Sequence, residues 1–115
     1  MEELKIKRGD VVYVEDINPR KDGVQAGSRP YIVVSNDKFN TFSQSLTCIP
    51  LTTKFKKWTP THVFISKACG LRRHSLALCE QIQTIPKSLV QNYMITLPDE
   101  VMEQVDSKLK IQLGL

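Results

Sequence analysis

The apolar runs of this chain are too short for anything but strands over its first two thirds. Val11-Val12-Tyr13-Val14, Tyr31-Ile32-Val33-Val34, Leu46 to Thr52 and His62-Val63-Phe64-Ile65 are β-branched or aromatic segments, each ended by glycine, proline or a polar cluster. Runs of that length between turn residues predict strands. A fifth is expected from Ser75 to Ile82. Pro50 interrupts its run, which marks an edge position or a bulge, because proline has no N–H to give a ladder. Arg8-Gly9-Asp10, Ser35-Asn36-Asp37 and the segment around Gly70 read as turns. Asn18 to Pro30 and Thr53 to Thr61 read as long polar loops, and connections of that length in a small domain are usually functional or disordered.

The C-terminal end is of a different kind. Val101, Val105, Leu109 and Leu113 recur every fourth residue, which is helical spacing. Pro98 suits a first helical position, Asp99 and Glu100 sit at the positive end of the dipole, and Lys108 and Lys110 sit near the negative end. A shorter helix is expected to open at Pro86-Lys87-Ser88-Leu89-Val90. Short strands, decorated loops and one terminal helix point to a mainly β (α+β) class, a small, strongly bent antiparallel barrel. With 115 residues and no repeat, low-complexity tract or linker, the chain is expected to be a single domain over 1–115.

No apolar run approaches the roughly 20 residues of a membrane span, and Met1-Glu2-Glu3-Leu4-Lys5 has neither the basic start nor the apolar stretch of a secretory signal. Cys48, Cys69 and Cys79 are odd in number and lack C-x-x-C spacing, so reduced thiols in a cytoplasmic protein are expected, with no metal site. The net charge of +4 is unevenly placed. Residues 1–30 balance six basic against six acidic groups; residues 31–75 hold seven basic groups and only Asp37 as acid; residues 76–115 hold three basic and five acidic groups. The middle of the chain therefore suits a polyanion. Lys54, Lys56, Lys57 and Trp58 form the best local signature for RNA, since cations hold phosphates while an aromatic stacks on an unpaired base. The plainer reading is a solvated loop with Trp58 folded back on the barrel. His62 begins a strand and is expected to pack or hydrogen-bond, and His74, after Arg72 and Arg73, to be exposed.

Several blocks in order resemble the MazF/PemK (Kid) toxins. These are Arg8-Gly9-Asp10-Val11-Val12-Tyr13-Val14, Asn18-Pro19, Gly27-Ser28-Arg29-Pro30-Tyr31-Ile32-Val33-Val34-Ser35-Asn36-Asp37, Ile49-Pro50-Leu51-Thr52, Pro60-Thr61-His62-Val63 and Glu80-Gln81-Ile82-Gln83-Thr84-Ile85. R-G-D alone is weak, R-P-x-x-V-x-S-N-D is fairly specific, and the whole series covers the chain from about Lys5 to Leu113. The resemblance implies an SH3-like small β-barrel (CcdB/MazF-like) in a two-fold homodimer. It implies a sequence-specific endoribonuclease toxin of a type II toxin–antitoxin system, acting on single-stranded RNA or mRNA without metal or other cofactor, and inhibited by a cognate acidic, MazE-like antitoxin. The catalytic arginine and threonine of the family match Arg29 and Thr52. Two alternatives stand beside it: a non-enzymatic toxin on the same fold that binds a protein, as the CcdB gyrase poison does, and an inactive relative that binds RNA or antitoxin without cutting.

Such cleavage uses the RNA's own 2′-hydroxyl as nucleophile and leaves 2′,3′-cyclic phosphate and 5′-hydroxyl ends. The protein must align the attack, neutralise charge on the phosphoryl oxygens and move protons. A guanidinium fork matches two phosphate oxygens, and a threonine hydroxyl is able to donate to a third. Arginine is a poor general base, so Arg29 is expected to act electrostatically, and Glu80 is the candidate base. Gln25, Asn36, Lys54, Lys56, Lys57, Trp58, Thr61 and Gln81 are the candidate RNA-binding residues. Gly23-Val24-Gln25-Ala26-Gly27 departs from the family's G-x-E-Q-G-G, with Val24 for the acid and Ala26 for a glycine. The Thr52–His62 loop is also the chain's own, so the recognised RNA sequence is not carried over.

Overall fold

The computed structural model describes residues 5–15, 28–55 and 57–115. Among these residues seven strands and two helices follow in order: β1 (Asp10–Glu15), β2 (Ser28–Val33), α1 (Asp37–Phe42), β3 (Ser45–Thr52), β4 (His62–Ile65), β5 (Ser75–Leu78), β6 (Gln83–Pro86), β7 (Val90–Thr96) and α2 (Asp99–Leu113). Every ladder is antiparallel. The strand order is β4-β5-β3-β2-β1-β7, with β6 also on β3. The sheet curls as a barrel does, but among the described residues no ladder joins its two outer strands, β4 and β7.

β3 makes this curl. Its first half, Ser45 to Cys48, pairs with β6, whereas Leu51 and Thr52 pair with β5. Pro50 falls at the switch between the two partners. The expected edge position is therefore corrected: β3 is flanked on both sides, and the proline is tolerated because one neighbour has left and the next has not begun. A further bend comes from two register shifts between β1 and β7, at Val11/Val12 and Tyr13/Val14.

Both faces of the central sheet are covered, which is why β1 reads as an unbroken apolar run. Val11, Ile32, Ile49, Leu51, Val63, Ile65 and Ala77 pack with Leu97, Met102 and Val105 on one side. Val12, Val14, Val33, Leu46, Cys48 and Ile85 form a second core on the other. Consecutive residues of β1, β2 and β3 alternate between the two cores, as pleating requires.

The apolar stripe of α2 docks at Met102 and Val105, with Val101 and Leu109 packed at the margin. Leu113 leaves the core and is 56% exposed. Pro98 is the N-cap of α2, one position before the first helical residue. The Arg8-Gly9-Asp10 turn is structural: the Arg8 guanidinium pairs with Asp106 of α2. Gly9 has φ +93°. The Asp10 carboxylate accepts the Lys7 amide at 2.8 Å and the Thr96 hydroxyl at 2.8 Å.

Other boundaries shift. The expected strand Ser75–Ile82 ends at Leu78, because the Gln81 amide donates to the Leu78 carbonyl and turns the chain into β6. The expected helix at Pro86–Val90 is a single 3-10 turn, Lys87–Leu89, opening into β7. Ser28 to Pro30 belong to β2 rather than to the preceding loop. Asn36 accepts the Phe39 amide and caps a short helix where only a turn was expected.

Candidate functional site

Arg29 and Thr52 come together through strand register. Val33, Ile32 and Tyr31 of β2 pair with Cys48, Ile49 and Pro50 of β3; the ladder ends there, and the same register extended by two residues would set Arg29 opposite Thr52. Opposed residues in an antiparallel pair project from the same face, with Cβ atoms about 5 Å apart. Both side chains line one cleft of about 660 Å³, with Lys54, Lys57, Thr59, His62, Glu80 and Gln81 also on its wall. Among its described lining residues the cleft thus holds Arg29, Lys54 and Lys57 against one carboxylate, a field that attracts phosphate.

The Thr52 hydroxyl oxygen accepts the Lys54 amide at 3.1 Å. A lone pair is thereby occupied by the backbone while the hydroxyl hydrogen stays available to donate elsewhere. Thr52 also pairs with Leu76 of β5, which fixes its backbone on that side of β3.

Glu80 sits on the turn after β5 and is tied to the start of β4. Its Oε1 accepts the Thr61 hydroxyl at 2.8 Å, and Thr61 and Thr59 share a hydrogen bond of 2.9 Å. Its Oε2 lies 3.3 Å from His62 Nε2. Burial pushes the Glu80 carboxyl up, but its own backbone amide, the Thr61 hydroxyl and His62 outweigh this and hold it below the ordinary carboxylate value. Glu80 is therefore ionised at neutral pH. His62, 7% exposed, turns its Nε2 toward this carboxylate, and its buried Nδ1 has no partner among the described residues.

Of the sequence-predicted residues, Arg29, Thr52, Lys54, Lys57, Glu80 and Gln81 meet in the cleft. Thr61 stands behind Glu80 as its hydrogen-bond donor rather than on the wall. Trp58 stays exposed and meets His62 edge-on, with centroids 5.7 Å apart. Asn36 is spent on the α1 cap and lies outside the cleft. Gln25 and Lys56 fall outside the described residues. Sequence reasoning left His62 and Thr59 out of the site; the signal available was three hydroxyl or imidazole donors within Thr59-Pro60-Thr61-His62 and a single nearby carboxylate in need of partners. Neither the cleft nor any other group of described residues gathers three histidines, cysteines or carboxylates at metal-binding distance.

Comparison with known proteins agrees with this geometry. Residues 7–113 match the model of the family described as PemK-like, MazF-like toxin of type II toxin-antitoxin system. The chain is 41% identical over 112 residues to the endoribonuclease EndoA of Bacillus subtilis, covering 96% of each. Its fold is that of a MazE-MazF structure from Deinococcus radiodurans, with TM-score 0.82 at 22% identity over 98% of this chain and 99% of that one. It also matches an endoribonuclease in complex with its cognate antitoxin from a mycobacterial species, with TM-score 0.80 at 24% identity over 96% of both chains. With a cleft built from the arginine and threonine blocks and a family match over almost its full length, this chain belongs to the PemK-like, MazF-like toxins of type II toxin–antitoxin systems.

Proposed function

We propose that the chain is an endoribonuclease toxin that cuts single-stranded RNA without a metal ion, acting as a cytoplasmic homodimer. The observation that supports this reading is that Arg29 and Thr52 line one cleft together with Lys54, Lys57 and Glu80. The RNA 2′-oxygen attacks the adjacent phosphorus, and the bond from phosphorus to the 5′-oxygen breaks. The products are a 2′,3′-cyclic phosphate and a 5′-hydroxyl.

Arg29 takes two phosphoryl oxygens on its fork, and Thr52 donates its hydroxyl hydrogen to one as negative charge builds. Glu80, already ionised, receives the 2′-hydroxyl proton; its lowered pKa makes it a weak base, so most of the rate comes from charge stabilisation and alignment. Arg29 hands a proton to the leaving 5′-oxygen, which as an alkoxide is more basic than a guanidine. Lys54 and Lys57 hold flanking phosphates, and Gln81 contacts a base edge. An acidic, disordered antitoxin segment that folds on binding suits the same cations.

The experiment is incubation of purified protein with mixed single-stranded RNA in EDTA, with the new ends mapped. Cleavage that persists in EDTA, leaves cyclic phosphate and disappears in Arg29→Ala is expected. Intact RNA together with inhibited gyrase assigns a protein target instead, and intact RNA that is merely bound assigns a non-cutting relative.

A further inference from the structure

Beside the cleft, on the same face of the sheet, lies an aromatic cluster that the reaction above does not use. Thr52 pairs with Leu76, and Leu76 pairs with Phe64. Extended to Arg29, this gives one row across four strands, Arg29–Thr52–Leu76–Phe64, with all four side chains on one face. Leu76 is buried, whereas Phe64 at the end of the row is 50% exposed. The strand carrying it, β4, pairs only with β5 among the described residues. Two other rings flank it: Phe55, 51% exposed, with centroids 6.1 Å apart, and exposed His74 at 5.3 Å, both tilted by less than 40°. His74 is fixed from behind, since its Nδ1 accepts the Lys67 amide at 3.0 Å. Lys54 precedes Phe55, and exposed Arg72 and Arg73 precede His74.

We infer that Phe55, Phe64 and His74 form a stacking subsite for one unpaired base of the RNA strand that crosses the cleft. This rests on the ribonuclease reading. Three exposed rings gathered around Phe64, at tilts of 34° and 38°, leave apolar area in water, and a nucleobase packed on them buries that area on side chains already grouped. The surrounding cations, with no acidic residue from Lys38 to Leu78, favour a polyanion over an acid-rimmed protein surface. Distance selects which base. Two strand spacings of about 4.8 Å place Phe64 about 10 Å from Thr52. That is about three steps of a stacked strand at 3.4 Å each, and fewer of an extended one. The base therefore belongs to a nucleotide within about three of the scissile phosphate, on the side away from Arg29.

The test pairs a base deletion with a ring deletion. A cleavable oligoribonucleotide is made with an abasic residue at each of the three positions on either side of the cut. For the wild-type protein, one abasic position on one side is expected to lower kcat/KM by about ten-fold, the usual effect of losing one base–aromatic stack. Phe64→Ala is expected to show the same loss on the intact substrate, as a raised KM, and to become indifferent to that abasic position. Phe64→Trp restores both the rate and the sensitivity.

Phe64→Ala cutting the intact oligonucleotide at the wild-type rate overturns the subsite while leaving the ribonuclease reading in place. So does light scattering that shows Phe64→Ala converting a dimer to a monomer, because the face then belongs to a second copy. Wild-type protein that binds the oligonucleotide without cutting it overturns only the catalytic reading, and the same series is then read as affinity. Wild-type protein that neither cuts nor binds overturns both.

Discussion

Thr52→Val isolates the contribution of one hydroxyl with little else changed. Valine keeps the shape and β-branching that suit the end of β3, so the ladders to Tyr31–Val33 on one side and Leu76–Ala77 on the other are retained. The lost oxygen accepts the amide of Lys54 at 3.1 Å, but Lys54 is exposed and water takes its place. The stability cost is therefore below about 1 kcal/mol, or less than about 4 °C in Tm for a domain of this size. Catalysis loses much more. Removing one donor aimed at a developing phosphoryl charge costs about 10²- to 10³-fold in kcat. The cleft is open and Arg29 still carries the larger charge, which sets the expectation at the low end, about 10²-fold or about 2.7 kcal/mol of transition-state stabilisation.

The loss falls on kcat with KM nearly unchanged, because the hydroxyl earns its effect only as charge builds. Thr52→Ser, which keeps the oxygen, stays within about ten-fold of wild type. The assay is steady-state cleavage of a quenched fluorescent oligoribonucleotide, with a thermal melt as control for folding. A Thr52→Val protein that melts normally and retains more than about a third of wild-type kcat refutes the assignment of Thr52 to the reacting phosphate.

Three further outcomes are expected. Because the folded Glu80 carboxyl titrates below its ordinary value of 4.5, its stabilising effect is present above that pH and lost as pH falls through the folded value; the Tm difference between wild type and Glu80→Gln shrinks when melts are taken from pH 6 to pH 3.5, and a constant difference contradicts the network with Thr61 and His62. Burial pushes the thiols of Cys48 and Cys79 up to about 12, the latter also through Glu80, so in native protein at pH 8 a disulfide reagent modifies Cys69 first and the other two only on unfolding, which a thiol titration with and without denaturant reads. Gly70→Ala places a Cβ 2.8 Å from Ile95 Cγ2 on a backbone at φ +118°, so chemical denaturation is expected to show a loss of about 1–3 kcal/mol.

The class of structure was legible in short segments of the chain. Four-residue apolar runs between glycine and proline set strands, and the Val101–Val105–Leu109 stripe set the last helix, because those signals act between near neighbours. Arg29, Thr52 and Glu80 were singled out through the ordered blocks around them, and the fold brings all three to one cleft. Features that depend on pairing between distant segments were not legible there. That Pro50 marks a change of partner and not an edge, that Glu80 is anchored to Thr61 and His62, and that Phe64 shares the sheet face of Thr52 while Val63 faces the core all depend on how β3, β4 and β5 pair. Asn36 is a different case, spent on a local contact as it caps α1 by accepting the Phe39 amide three residues on. Local patterns choose elements, but a one-residue change of register moves every side chain to the opposite face, and no single segment carries that information.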